Sequence, residues 1–289
     1  MPRKRPTRRL APVILLVVVA LAAGGVYLAV RHVPALLGQT GCTAGSGRAV
    51  VALDPEQAQI AATIAGVAYH RGMPSRAVTV AYATAMQETH LHDPDYGDLD
   101  SVGVFQQRPS EGWGPASKLI NPVYASTKFF RALAQVHGYQ RMPVYEAAQA
   151  VQHSADGSAY AQYQTLASRL TPAFTGAAPR GVWCWPAAHT HAAAQLNPAR
   201  RAVVRAFGPL AARKAVSVQG DGEAGGAPSL SVQVPQASVG WAVAAWLVTH
   251  AGQFRLHEVR YAGFRWPAPA GHTGWVKDTG APAGSVFAS

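Results

Sequence analysis

The chain has 289 residues, a formal net charge of +11 and two cysteines. Charged residues make up only 13% of it, which is low for a soluble protein, and the length fits one or two domains beyond any targeting segment. The basic residues outside the N-terminus are scattered and match no nucleic-acid-binding module, so we predict no nucleic-acid partner and an affinity for an anionic wall or membrane surface.

The N-terminus predicts a membrane anchor. Basic residues at positions 3, 4, 5, 8 and 9 precede an uncharged run from Leu10 to Val30. This run of about 20 residues is long enough to cross a bilayer as a helix. The basic side faces the cytoplasm, so the bulk of the chain is predicted to be extracytoplasmic. A cleaved signal peptide is the alternative, but the apolar run is longer than is usual for one.

The two cysteines, Cys42 and Cys184, both follow the predicted anchor. Disulfides persist outside the cytoplasm, so we predict a bond between them. Models of chain entropy credit the closure of so long a loop with roughly 4–5 kcal/mol. Two unpaired buried thiols are the alternative.

Five helices are predicted between the two cysteines. Asp54-Pro-Glu-Gln57 reads as a capping box with proline at the first helical position, and Asn121-Pro122 opens a later helix in the same way. Apolar residues then recur at three- and four-residue spacing. The remaining three helices are predicted at 75–87, 146–153 and 158–170.

One carboxylate stands out at the end of the second helix. Val78, Ala81 and Ala85 share one helix face, and Glu88 points the same way. Burial and the nearby helix C-terminus both disfavour negative charge there, which favours the protonated form that a general acid requires. A surface glutamate at a fraying helix end is the alternative.

A loop rich in turn residues follows and leads to Gly103-Val104-Phe105-Gln106 and then to Gly112-Trp113-Gly114. Glu88-Thr89 with this Gly-apolar-aromatic-Gln run resembles the Glu-Ser … Gly-Leu-Met-Gln signature of soluble lytic transglycosylases and goose-type lysozymes. The segment from Asp95 to Gly114 is more closely similar to actinobacterial, membrane-anchored, lysozyme-like wall proteins. The resemblance covers about residues 54–170.

The resemblance implies a lysozyme-like helical fold with Glu88 as the catalytic acid and no cofactor. The implied substrate is the glycan strand of peptidoglycan, and cell-envelope machinery is a further candidate partner. Gln152 stands where the family often has an Asn that contacts the sugar. The candidate substrate-binding residues are Thr89, Gly103, Val104, Phe105, Gln106, Gln107, Trp113 and Gln152.

The sequence is consistent with three functions. The resemblance favours a lytic transglycosylase, in which a single Glu cuts the bond and leaves a 1,6-anhydro end. An inverting hydrolase would need a second carboxylate roughly 6.5–9.5 Å from the acid. Its candidates are Asp95, Asp98 and Asp100, with Glu111 more remote. A non-catalytic wall-binding scaffold is the third possibility.

Metal binding is not predicted. His90, His92 and Asp93 form one group of potential ligands, and His189 and His191 form another. Zinc sites need three or four ligands with supporting contacts, and neither group has an obvious further partner in the sequence.

The chain changes character after Trp185. A linker with a short helix from Ala199 to Phe207 is predicted, then a small α/β module of unknown role. The complete division is 1–9 cytoplasmic arm, 10–30 transmembrane helix, 31–53 linker, 54–185 lysozyme-like domain, 186–235 linker, 236–278 α/β module and 279–289 disordered tail. The predicted fold class is therefore mainly α, with a lysozyme-like helical domain after a transmembrane helix and a small C-terminal α/β module.

Overall fold

A computed structural model describes residues 40–47, 49–154, 157–187, 193–210, 215–219 and 228–289. Residues from Gly41 to Ser289 form one compact unit. The predicted cytoplasmic arm and the predicted anchor at 10–30 lie outside the described residues. Within the described ranges, no helix combines the length and the apolar character that crossing a membrane requires.

Helices dominate the stretch that follows the first two strands. The capping box predicted at Asp54 is present: its side chain accepts from the Gln57 N–H at 2.9 Å, and the Gln57 side chain accepts from the Asp54 N–H at 3.1 Å. Asn121 caps a later helix through the N–H groups of Val123 and Tyr124. The helices are α1 (Pro55–His70), α2 (Ser75–Thr89), α3 (Ala116–Leu119), α4 (Pro122–Gln135), α5 (Val144–Gln152) and α6 (Gln164–Phe174), with 3-10 turns at Pro109–Glu111 and Gly157–Tyr163.

A three-stranded antiparallel sheet brings the two cysteines together. Its strands are β1 (Gly41–Ser46), β2 (Ala49–Leu53) and β3 (Val182–Trp185), in the order β2-β1-β3. Cys42 lies directly opposite Cys184, and the two form a disulfide with an S–S distance of 2.04 Å. The predicted disulfide is confirmed, whereas the predicted linker at 31–53 contains two of these strands.

The remainder of the chain builds a second antiparallel sheet. It contributes α7 (Leu196–Phe207), α8 (Ala237–Thr249) and α9 (Ala251–Phe254), a 3-10 turn at Ala268–Thr273, and the strands β4 (Val216–Gln219), β5 (Ser229–Gln233), β6 (Glu258–Tyr261), β7 (Phe264–Pro267), β8 (Val276–Lys277) and β9 (Ser285–Ala288). The strand order is β4-β5-β9-β6-β7-β8. Because β9 pairs with both β5 and β6, the prediction of a disordered tail at 279–289 is wrong.

The predicted fold class, mainly α, is wrong. Antiparallel sheets of three and six strands accompany the helices in the described part of the chain. The three strands β1, β2 and β3 escape prediction because they are short, and because β1 consists largely of glycine, alanine and serine, which have little intrinsic preference for strands. β1 also pairs with β3, which lies far away in the sequence, so no local pattern reveals that pairing.

Helix α8 lies at the centre of the compact unit. Every residue from Val239 to Thr249 is buried, and the helix packs on α1, α6 and β3. Two indole N–H groups add polar contacts to β3: Trp266 donates to the Cys184 carbonyl at 3.1 Å and Trp275 to the Val182 carbonyl at 2.8 Å. The C-terminal region therefore packs directly against α1 and α6, which belong to the same group of helices as the Glu88-bearing α2.

Candidate active site

Helix α2 places Glu88 at the edge of the core. Its residues from Ala77 to Met86 are buried, and the helix packs against α5, α6 and the 3-10 turn at Gly157–Tyr163. The helix ends at His90, which adopts a left-handed conformation with φ of 54°. Glu88 lies in the last turn and is half-buried, so it meets both the core and the surface.

Among the described residues, Tyr160 and Gln152 donate hydrogen bonds to Glu88. The Tyr160 hydroxyl lies 2.7 Å from Glu88 Oε1, and Gln152 Nε2 lies 3.1 Å from the same oxygen. Gln152 Nε2 also donates to the Phe105 carbonyl at 2.8 Å. Gln152 therefore links the carboxyl group to the Gly103–Gln106 turn.

Tyr160 is a site residue that the sequence does not predict. It is only 2% exposed, and both burial and the charge of Glu88 raise the pKa of its phenol above the usual value, against a smaller lowering by Ser154. The hydroxyl therefore stays protonated and acts as a donor. Its sequence context gave no signal, since an aromatic residue in a predicted helix is most often part of the core.

The turn after Glu88 is fixed to the end of α2. The Thr89 hydroxyl donates to the Val104 carbonyl at 2.9 Å, and the Gly103 N–H donates to the Pro94 carbonyl at 2.7 Å. Gly103 has a φ of 77°, and a Cβ there would lie 2.3 Å from the Leu119 carbonyl oxygen. Only glycine fits this position, which explains the glycine of the motif.

Three of the predicted substrate-binding side chains face the core instead. Val104 and Phe105 are 0% exposed, and Phe105 stacks on Phe129 with ring centroids 4.5 Å apart. Gln107 is 2% exposed and donates to the Ala125 carbonyl at 3.3 Å. These side chains shape the turn from behind, so only their backbone atoms can reach a ligand.

Gln106 supports the loop that precedes the turn. Its Oε1 accepts from the Ser101 hydroxyl at 3.0 Å, and its Nε2 donates to the carbonyls of Tyr96 and Gly103 at 3.3 and 3.2 Å. A Cβ on Gly97 would lie 1.9 Å from Gln106 Oε1, so the loop backbone passes very close to this amide. Gln106 is half-buried and remains within reach of a ligand.

The candidate second carboxylates have different surroundings. Asp100 accepts from the Ser110 N–H at 2.8 Å and from Arg108 Nε at 2.9 Å, and these donors lower its pKa to about 2. It stays ionised and holds the loop to Pro109–Glu111. Asp95 and Asp98 are exposed in the same loop. Trp113 is not among the described contacts of Glu88 and lines a cleft with Arg71 and Arg131.

The histidines near Glu88 have protein partners. His92 Nε2 lies 3.0 Å from Asp54 Oδ2, and its Nδ1 lies 3.1 Å from the Thr89 carbonyl. His90 Nε2 lies 3.2 Å from the Tyr163 hydroxyl. Among the residues that the structure describes, no three His, Cys, Asp or Glu side chains are grouped to hold a metal. The pair His189 and His191 lies outside the described residues.

Asp93 is held in an environment that opposes its ionisation. Its Oδ1 is buried without a hydrogen-bond partner in the described structure. Burial, and to a lesser degree the charge of Glu56, raise the pKa of Asp93 to about 7, although a hydrogen bond from the Val104 backbone lowers it. The protonated form is therefore the one that the fold favours.

This environment makes stability depend on pH. The pKa of Asp93 is about 7 in the folded state and 3.8 ordinarily, so between these pH values the folded state binds a proton on Asp93 that the unfolded state has lost. The free energy of unfolding therefore falls as the pH rises from about 4 to 7. We expect Asp93→Asn to leave the free energy of unfolding unchanged at pH 4 and to raise it by roughly 1–2 kcal/mol at pH 8, a value reduced for partial solvent exposure. Urea unfolding at both pH values measures this, with Asp98→Asn as the matched control. A lower free energy of unfolding for Asp93→Asn than for the wild type at pH 8 would contradict a raised pKa of Asp93 in the folded state.

Comparison with known proteins finds no family model that matches the chain and no curated protein that matches its sequence.

Proposed function

We propose that this protein is a peptidoglycan lytic transglycosylase that acts outside the cytoplasm and is tethered by the apolar run from Leu10 to Val30. The observation that carries the proposal is the half-buried Glu88, held by Tyr160 and Gln152 beside the Gly103–Gln106 turn. The resemblance of the same residues to the transglycosylase signature supports it. The Cys42–Cys184 disulfide supports the extracytoplasmic location, because such bonds persist in oxidising surroundings.

The hydrogen bonds suit a group that is first an acid and then a base. Both donors meet Oε1, which can accept these hydrogen bonds in the acid form and in the carboxylate form of Glu88. The proton then belongs on Oε2, from which it passes to the glycosidic oxygen of the leaving sugar. The resulting carboxylate takes the proton of the C6 hydroxyl of N-acetylmuramic acid, and that oxygen attacks C1 to close the 1,6-anhydro ring.

Tyr160 and Gln152 stabilise the intermediate state of this cycle. When Glu88 has given up its proton, its negative charge is met by two donors that are already in place and need no reorganisation. Tyr160 keeps its own proton because its pKa is raised. The same two contacts fix the orientation of the carboxyl group, so that one Glu performs both transfers without a second carboxylate.

The identity of the released ends tests the proposal. The full chain, purified in a mild detergent, is incubated with isolated cell walls, and the soluble fragments are analysed by mass spectrometry. A transglycosylase yields 1,6-anhydro ends, which are lighter by one water than the reducing ends that a hydrolase yields. We expect anhydro ends, and we expect Asp95→Asn and Asp98→Asn to release them as the wild type does.

Two other results would identify the alternatives. Reducing ends, together with loss of activity in one of the loop variants, would indicate an inverting hydrolase that uses that aspartate to activate water. No release by the wild type, combined with its sedimentation with the walls, would indicate a non-catalytic wall-binding protein.

A further inference from the structure

A cleft on another part of the helical region is lined, among the described residues, by positive charges and no carboxylate. It has a volume of about 400 Å³, and we call it the cationic cleft. The polar and aromatic residues that line it are Arg71, Trp113, Lys128, Arg131 and Gln135. They are different from the residues that contact Glu88, so the cleft and the candidate active site are separate features.

Helix α4 and the end of α1 build the cleft. Lys128, Arg131 and Gln135 are three and four residues apart on α4, so they extend from the same side of the helix. Arg71 is the residue at which α1 ends. Trp113 follows Gly112 and precedes Gly114, both of which have positive φ, and the indole packs partly against the core.

The charges of the cleft are not balanced by ion pairs within the part of the chain that the structure describes. Its lining contains no carboxylate, and the ion pairs between described residues involve neither Arg71, Lys128 nor Arg131. Arg71 Nε is buried and has no hydrogen-bond partner within the described ranges. A buried donor without an acceptor costs free energy, and an oxyanion in the cleft would remove that cost.

Trp113 indicates the kind of molecule to which the bound anion is attached. Trp113 is half-buried and leaves part of its indole facing the cleft, where the apolar face of a sugar ring can pack. A nucleotide would present the same features, a ring and a phosphate. The disulfide is typical of a protein in an oxidising compartment, which favours a saccharide over a nucleic acid as the ligand.

We propose that the cationic cleft binds an anionic group attached to a saccharide, with Trp113 against the sugar and Arg71, Lys128 and Arg131 around the oxyanion. The anion is either a phosphodiester between sugar units or a sugar-borne carboxylate. Either ligand would hold the protein on a wall glycan at a site separate from Glu88. The binding itself does not depend on the proposed lytic activity.

Binding measurements with three soluble oligosaccharides of equal length test this proposal. One is a neutral N-acetylglucosamine oligomer, one carries muramyl carboxylates, and one carries phosphodiesters. The full chain is used as Glu88→Gln, so that no ligand is cut. We expect at least one charged oligosaccharide to bind about tenfold or more tightly than the neutral one, because charge-assisted hydrogen bonds form only with it. Whether the carboxylate or the phosphodiester binds more tightly identifies the source of the anion.

Variants of the cleft locate the site. Lys128→Gln and Arg131→Gln are each expected to weaken binding of the charged oligosaccharide about tenfold. Trp113→Ala is expected to weaken it comparably while leaving the weaker binding of inorganic phosphate unchanged. Arg201→Gln on α7 removes the same charge from an exposed position and is the matched control, with no expected loss. Thermal unfolding of each variant verifies that it is folded.

Several outcomes would overturn the proposal. The first is equal affinity for the neutral and the charged oligosaccharides. The second is an equal loss of affinity for the charged oligosaccharide in Arg201→Gln and Arg131→Gln. The third is tighter binding of a single-stranded oligonucleotide than of an oligosaccharide of the same charge. Failure of the lytic activity is a distinct result, because it appears as a lack of released fragments while binding to the cleft persists.

Discussion

Glu88→Gln is expected to reduce the release of glycan fragments from cell walls by roughly 10²–10⁴-fold, the range that a general acid–base group contributes. The amide keeps the shape of the carboxyl group and its Oε1 can still accept from Tyr160 and Gln152. It cannot donate a proton to the leaving oxygen or take one from the attacking hydroxyl. The loss should therefore fall on kcat, and it is measured as the initial rate of fragment release at equal enzyme concentration.

Two comparisons make the Glu88→Gln result specific. Glu258→Gln, a change of the same kind on β6, should retain the wild-type rate. The thermal unfolding temperatures of both variants should lie close to that of the wild type, because the Glu88 change preserves the hydrogen bonds. Wild-type activity in Glu88→Gln would exclude this residue as the acid and would leave the protein without the catalytic mechanism proposed for it.

The sequence was sufficient to find the centre of the candidate site but not its surroundings. Helix periodicity placed Glu88 on the inward side of α2, and the structure has it half-buried there. Gly103 was predicted from its motif, and its positive φ provides the physical reason. Tyr160 was not predicted, because its contact with Glu88 spans 72 residues of chain and depends on how a 3-10 turn packs against α2.

The same limit explains the wrong fold class. Helices such as α1 and α4 are predicted from local features, namely their capping residues and the spacing of apolar residues. Both begin where the sequence predicted. Strands β1 and β9 are stabilised by partners far away in the chain, which a local pattern does not contain. The side chains of Val104 and Phe105 illustrate a related error, since a motif near the acid does not say which of its residues face the ligand.

Removal of the disulfide has the second large expected effect. The double variant Cys42→Ala, Cys184→Ala is expected to lose about 2–5 kcal/mol of the free energy of unfolding. The bond spans 142 residues and joins β1 to β3, so its loss enlarges the conformational freedom of the unfolded chain. Both cysteines are 2% exposed, and truncation to alanine also removes packed sulfur atoms from the core. Urea unfolding of the oxidised wild type and of the variant measures the difference.

Reduction provides the control for the disulfide. Wild-type protein unfolded in the presence of dithiothreitol should approach the stability of the double variant, and dithiothreitol should not alter the variant itself. If oxidised wild type and variant unfold at the same urea concentration, the bond contributes nothing to stability and the strand pairing alone holds β1 against β3.

The N-terminal and C-terminal halves of this protein depend on each other. Trp266 and Trp275 donate to carbonyls of β3, and α8 is buried from Val239 to Thr249. A fragment ending after Trp185 would expose the apolar sides of α1 and α6 to water and leave those two carbonyls without their indole donors. Recombination that moved the Glu88-bearing half into another gene would have to carry the C-terminal half along. We therefore expect the two halves to occur together in one gene and not as separate modules.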